Sequence, residues 1–215
     1  MVWWHIVLVA IISYAFGNLS FARYISRAKN NDITKLGSGN PGSTNMLRNF
    51  GLKIGVFNLV LDMLKGFVPT LVTYLIFKNE IMVYIAGVSV IVGHIYPVMY
   101  KFKGGKGIAT MIGVFFATEP LFTGIIVVIA AVSWLLFQYG SVASFICVTA
   151  LTVFEGINAQ NNLPLNESKV VCLLLFMIFL LTWYAHRGNI ERLLFGKESK
   201  VSLIKSTKKQ IKNKN

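Results

Sequence analysis

Residues 36–48 read Leu-Gly-Ser-Gly-Asn-Pro-Gly-Ser-Thr-Asn-Met-Leu-Arg. Gly37, Gly39 and Gly42 let backbone N–H groups come close to an oxyanion. Ser38, Ser43 and Thr44 add hydroxyl donors, and Asn40 and Asn45 add amides. Arg48 adds a planar charged fork suited to phosphate. The same composition also suits a plain turn between helices. A second stretch, Phe102-Lys-Gly-Gly-Lys-Gly-Ile-Ala-Thr110, sets Gly104, Gly105 and Gly107 around Lys106, just before an apolar run. An ammonium beside the exposed N–H groups of a helix start is again an anion site. A basic loop that merely contains glycines is the plainer alternative. The Gly-x4-Gly-Lys-[Ser/Thr] spacing of a Walker A loop is absent, so nucleotide hydrolysis is not indicated. A third stretch runs from His186 to Glu198. If helical, it sets His186, Asn189 and Arg192 on one face. Basic helix ends also serve as topology signals.

Two further features could matter. Asp62 and Lys65 stand at i and i+3 inside an apolar run, where a charge must pair or face a polar interior. They read either as a bundle-stabilising ion pair or as a support for the glycine-rich segments. Ser141 and Ser144 follow the break Gln138-Tyr139-Gly140; they line the same site or bond their own helix backbone. The usual covalent machinery is missing. There is no Gly-x-Ser-x-Gly elbow, no His-x4-Asp pair and no cysteine near a histidine in a polar segment. Carboxylates are scarce, so neither a triad, a two-carboxylate site nor a metal cage is expected. No metal and no cofactor are expected. An enzyme built from these parts works by positioning and charge stabilisation.

The elements that must hold these residues are membrane helices. Of 215 residues, 55% are hydrophobic and 13% charged, with mean hydropathy +0.63. Soluble domains carry about 25% charged residues. Yet 21 Lys+Arg face 8 Asp+Glu, for a net charge of +13. That excludes most soluble enzymes, nucleic-acid-binding domains and disordered chains. The expected fold is an all-α integral membrane protein, a single bundle of about seven transmembrane helices. The spans are near 3–22, 54–77, 81–100, 108–117, 121–137, 142–154 and 170–185. The fourth is short for a 30 Å bilayer core, so the count stays between five and seven. Positive charge stays cytoplasmic in short loops. With the N-terminus outside and the C-terminus cytoplasmic, eighteen of the 21 cations fall inside. The start of the chain lacks a basic n-region and a small-x-small cleavage site, so it reads as a span rather than a signal peptide. Cys147 and Cys172 lie in apolar runs and read as buried thiols. Residues 1–200 form the expected membrane domain, and 201–215 a disordered basic cytoplasmic tail.

The motifs and their order resemble one family. They are residues 37–45 with Arg48, Asp62-Met-Leu-Lys-Gly66, Gly93-His94 to Pro97 with 102–110, Ser141-Val-Ala-Ser144, and His186-Arg-Gly-Asn189 through Arg192 to Glu198. This series is similar to the bacterial acyl-phosphate:glycerol-3-phosphate acyltransferase (PlsY) family, over about residues 1–200. The resemblance implies an acyltransferase of the cell (inner or cytoplasmic) membrane, with its active site facing the cytoplasm. It implies transfer of a fatty acyl group from acyl phosphate to the 1-hydroxyl of glycerol 3-phosphate. The products are lysophosphatidic acid and phosphate, at the first acylation of phospholipid synthesis. Carried over, Ser38, Arg48, Lys106, His186 and Asn189 are catalytic. Gly39, Asn40, Thr44, Asn45, Gly104, Gly105 and Ser141 bind substrate or its phosphate. Asp62, Lys65 and Glu198 are structural. Ser43 stands where the family often has alanine, and Gln138 near where many members have arginine.

Direct attack by the glycerol hydroxyl without an acyl-enzyme is the expected mechanism, with His186 or a substrate phosphate taking the proton. Expected partners are the two substrates and membrane lipids, with no nucleic acid; the oligomeric state stays open, a monomer being compatible. The rivals are a transporter for a phosphorylated solute, an acyltransferase using acyl-CoA, and a non-catalytic subunit.

Overall fold

The structure, a computed structural model, describes residues 3–201. All regular elements among them are helical. In chain order these are α1 (Trp3–Gly17), α2 (Phe21–Arg27), α3 (Ser43–Phe50), α4 (Leu52–Phe77), α5 (Glu80–Ile95), α6 (Ile108–Thr118), α7 (Pro120–Phe137), α8 (Gly140–Asn162), α9 (Leu165–Ala185) and α10 (Arg187–Leu194). Among the described residues, six helical stretches are long and apolar enough to cross a membrane, and α6 is a shorter apolar helix. An 11-residue helix reaches about 16 Å, roughly half the hydrocarbon core.

The expected boundaries shift at three places. The first leg, Trp3–Arg27, is interrupted after Gly17, where the Asn18 side chain donates back to the Tyr14 carbonyl (2.7 Å). The sixth span does not end at Phe154 but continues through Glu155 to Asn162. Glu155 can stay inside because its Oε1 accepts from the Thr118 hydroxyl at the end of α6 (2.8 Å). The seventh begins at Leu165, capped by Pro164, rather than at Val170. The tail expected over 201–215 lies outside the described residues except for Val201. That residue belongs to the folded part: it is buried, and its N–H donates to the Gln138 carbonyl (2.9 Å).

Helix α5 is the axis of the bundle. Met82, Val83, Ala86, Val90 and Ile91 are fully buried. Val90 and Ile91 join Val114 and Phe115 of α6, Val148 and Leu151 of α8, and Leu175 and Ile178 of α9 in one core. The outward faces stay apolar: Ile11, Val56, Leu121, Val128, Leu135, Leu173 and Phe176 are all exposed. Such a belt is a lipid contact, since a soluble surface would not carry it.

Where lipid removes the hydrophobic drive between helices, close backbone approach provides the packing. Two glycine pairs achieve it. A Cβ on Gly17 would fall 2.3 Å from the Val90 carbonyl oxygen, and one on Gly93 2.3 Å from that of Tyr14, so α1 lies directly on α5. A Cβ on Gly66 would fall 2.0 Å from the Thr110 oxygen, and one on Gly113 1.9 Å from the Met63 oxygen, so α4 lies directly on α6.

One polar tie crosses this apolar interior. Lys65 Nζ sits 3.1 Å from Asp62 Oδ1, with both side chains nearly inaccessible. The ammonium also donates to the carbonyls of Gly17 (3.3 Å) and Leu19 (2.6 Å). Those carbonyls lie at the interruption after α1, where the last carbonyls of a helix lack intrahelical partners. Break and buried lysine satisfy each other. Gly113→Ala is expected to lower stability by about 1–3 kcal/mol, the cost of overpacking. Gly156→Ala, where an added Cβ would meet nothing within 4 Å, is expected to lose nothing. Thermal unfolding in detergent compares the two.

Candidate active site

At one end of the bundle a cavity of about 960 Å³ opens among all three glycine-rich or polar segments. The first residues of α3, α6, α8 and α10 line it: Ser43 and Thr44, Ile108 and Ala109, Gly140 and Ser141, Arg187 to Asn189. The opening N–H groups of each helix have no intrahelical partner and carry the positive end of its dipole. Four helix starts around one cavity are a strong anion-attracting arrangement before any side chain is counted. Arg48, Lys106, Arg187 and Arg192 add cations to the same wall.

The first segment is built around Asn45. Its Nδ2 donates to the carbonyls of Ile33 (3.3 Å), Leu36 (2.9 Å) and Asn40 (3.1 Å). Its Oδ1 accepts from the Ser38 N–H (3.2 Å) and the Asn49 amide (3.0 Å). Gly37 and Gly39 take positive φ, 55° and 70°, which the winding of this loop requires. The loop thereby exposes the Ser38 hydroxyl and sets Arg48 one turn into α3. Asn45 also lines the cavity, but its side-chain amide, expected in a phosphate cradle, is engaged in shaping the loop. Ser38, Gly39, Asn40, Thr44 and Arg48 line the cavity.

The second segment packs on the end of α5. The Gly104 N–H donates to the Ile95 carbonyl and that of Gly105 to the His94 carbonyl, both at 3.1 Å. A Cβ on Gly105 would fall 2.2 Å from His94 Nε2. These glycines therefore serve close packing, and their amides are occupied. Of the two, expected as phosphate-binding, Gly104 lines the cavity and Gly105 does not; neither has its N–H free for an anion. What the loop delivers is Lys106 and, after Gly107 at φ 86°, the start of α6.

The third segment joins the others through Glu198. Its Oε1 accepts from Ser141 Oγ (2.9 Å) and Asn189 Nδ2 (2.6 Å), and its Oε2 from Arg192 Nε (2.8 Å). Asn189 Oδ1 in turn accepts from Lys106 Nζ. One carboxylate thus ties α8, α10 and the second loop together, and these bonds hold it below the usual carboxylate range. His186 Nδ1 lies 2.8 Å from the Thr182 carbonyl. A carbonyl only accepts, so Nδ1 carries the hydrogen and Nε2 keeps its lone pair. Burial, with Lys106 nearby, pushes the imidazole down to about 4, so the ring is neutral. Burial also brings Lys106 down to about 8; Arg192 and Arg48 act in the same direction and Glu198 opposes them.

Asp62 lines the cavity and Lys65 lies behind it. Asn58 connects them to the first segment, donating to Asp62 Oδ2 and to Ser43 Oγ, both at 2.9 Å. Sequence reasoning missed Asn58 and gave His94 no role. Asn58 stands four residues before Asp62 in an apolar run, and that spacing was the available signal. Arg187, Gly188 and Glu191 also reach the wall, which spacing alone did not indicate.

Residues 7–196 match the family model described as glycerol-3-phosphate acyltransferase. The chain belongs to the glycerol-3-phosphate acyltransferase family. It is 38% identical over 206 residues to the glycerol-3-phosphate acyltransferase of Pseudothermotoga lettingae, covering 95% of this chain and 98% of that one. It is 35% identical over 212 residues to that of Mycoplasmopsis pulmonis, covering 91% and 93%. Two crystal structures of PlsY, described as an integral membrane glycerol 3-phosphate acyltransferase, superpose closely. The glycerol 3-phosphate form has a TM-score of 0.84 at 33% identity, covering 93% of this chain and 97% of that one. The lysophosphatidic acid form has a TM-score of 0.82 at 33% identity, covering 94% and 98%.

The chain is thus a multi-pass membrane acyltransferase of phospholipid biosynthesis with glycerol 3-phosphate as substrate. An acyltransferase that takes a phosphorylated acceptor needs cations, and Lys106 supplies a titratable one. It is protonated below about pH 8 and loses its charge as pH rises through that value. Affinity for glycerol 3-phosphate is expected to fall above about pH 8, and Lys106→Arg, whose guanidinium stays charged, to lack that alkaline limb. Calorimetric titration across the range checks it.

Proposed function

We propose that the acyl donor is an acyl phosphate and that the acceptor hydroxyl attacks it directly. The observation that supports this most is a cavity rich in cations and helix starts but without a nucleophile–base pair. Ser141 donates to Glu198 rather than to a base. His186 directs Nδ1 to a carbonyl. No hydrogen bond joins His186 to a serine among the described residues. Such a site has little to offer a substrate that needs covalent activation, and much to offer two anions.

An acyl phosphate is already activated. The 1-hydroxyl oxygen attacks the acyl carbon, the bond from that carbon to the phosphate oxygen breaks, and phosphate leaves with the electron pair. The departing phosphate is a far stronger base than an imidazole held near 4. It takes the hydroxyl proton, and lysophosphatidic acid and inorganic phosphate result. His186 Nε2, with its lone pair free, accepts a hydrogen bond from the hydroxyl and holds it in line. The site's other task is to overcome repulsion. At an effective dielectric of 20, two unit charges about 7 Å apart repel by about 2 kcal/mol, and each phosphate carries more than one. Arg48 and Lys106 offset this, aided by the openings of α3 and α6. Ser38, Asn40 and Thr44 add donors. Charge asymmetry supports a cytoplasmic site in a bacterial cell membrane: the segments carrying most of the cations are those at the cavity end.

Purified protein with glycerol 3-phosphate and palmitoyl phosphate is expected to release phosphate and form lysolipid in equal amounts, while palmitoyl-CoA gives neither. Turnover with the thioester alone would reject the donor. Arg48→Ala is expected to cut kcat/KM about 100-fold with no change in thermal midpoint, the scale of a lost charge-assisted contact.

A further inference from the structure

The cavity is chemically divided. Arg187 and Arg192 are exposed and Arg48 is half-buried, whereas Asp62 and His94 are only 2% and 8% exposed. Donors for phosphate crowd the open side, and a carboxylate lies at the buried side. The phosphate of the acceptor needs donors. Its hydroxyls need acceptors as well.

We propose that Asp62 and His94 form the subsite that reads the second hydroxyl of glycerol 3-phosphate, the one that is not acylated. His94 Nδ1 is buried and has no hydrogen-bond partner. It lies 3.9 Å from Asp62 Oδ1. That is too long for a hydrogen bond, and a buried orphan polar atom of this kind calls for a partner. A hydroxyl both donates and accepts. Its oxygen, about 2.8 Å from each atom, fits between two atoms at that separation. It donates to Asp62 Oδ1 and accepts from His94 Nδ1–H.

Asp62 has the capacity. Oδ1 takes Lys65 and Oδ2 takes Asn58, and each carboxylate oxygen accepts two bonds. Neither of the cavity's other carboxylates fits the role. Oε1 of Glu198 is filled by Ser141 and Asn189, and its Oε2, which holds Arg192, has one site left beside that exposed cation rather than two at the buried side; Glu191 is exposed. The buried ion pair also fixes the direction of Asp62, so the subsite is pre-organised. Recognition at two points, phosphate at the open side and the second hydroxyl at the floor, leaves the 1-hydroxyl as the one free to react.

This inference rests on glycerol 3-phosphate as acceptor and is independent of the donor. The test compares equilibrium binding of glycerol 3-phosphate with that of 3-hydroxypropyl phosphate, which lacks only the second hydroxyl. The wild-type protein is expected to favour glycerol 3-phosphate about 10- to 100-fold, because the analogue leaves buried polar groups unpaired. His94→Leu is expected to narrow that ratio to about threefold or less, and His94→Asn, which keeps a donor, to give an intermediate value. Equal binding by the wild type overturns the subsite. So does a His94→Leu protein that weakens both ligands by the same factor, since that is what a purely structural histidine would do. Should His94→Leu not fold, imidazole nitrogen NMR of the wild type decides. The His94 Nδ1 resonance is expected to move with glycerol 3-phosphate and not with the analogue; equal shifts overturn the proposal. Binding of neither ligand would reject the acceptor itself, and the subsite with it.

Discussion

In the proposed reaction two phosphates come within reach of one acyl carbon, and like charges resist that. Most of the site follows from this constraint. It requires fixed positive potential, and the fold supplies it from the backbone first. The openings of α3, α6, α8 and α10 meet around one cavity, so unsatisfied N–H groups and dipole ends converge without any lysine or arginine. Arg48 and Lys106 then add full charges. Those charges lower the cost of bringing two anionic reactants together, and direct transfer as proposed asks for no nucleophile from the protein.

A second requirement sits beneath the first. The cavity walls come from segments far apart in sequence, and something inside an apolar bundle must hold them in register. The Asp62–Lys65 pair does so. Lys65 closes the interruption after α1, Asp62 reaches the first segment through Asn58 and Ser43, and His94 links the pair's surroundings to the second loop. A buried ion pair is weak evidence for net stability. Here its value is geometric, since losing either charge would strand the other in the membrane interior.

Much of this was legible in the sequence. Apolar runs gave the helices, and the excess of cations on alternate loops gave the end at which the site lies. Glycine, amide and arginine within residues 36–48 marked a segment that lines the cavity. What was not legible was which donors remain free. Composition treats Asn45, Gly104 and Gly105 as potential phosphate ligands. In the folded chain Asn45 is consumed in winding its own loop, and the two glycines exist for close contact with the end of α5. Helix ends were also hard to read. Glu155 looked like the boundary of a span, because the sequence could not reveal that Thr118, 37 residues earlier, would satisfy it. The convergence of four helix starts likewise has no local signature.

Direct transfer, as proposed, forms no covalent acyl-enzyme. It is tested most directly by rapid mixing of the enzyme with palmitoyl phosphate in the absence of acceptor, following phosphate release and intact-protein mass together. Direct transfer predicts no burst of phosphate and an unmodified protein until glycerol 3-phosphate is added. A burst equal to the enzyme concentration, with one acyl group gained on the protein, would contradict the account.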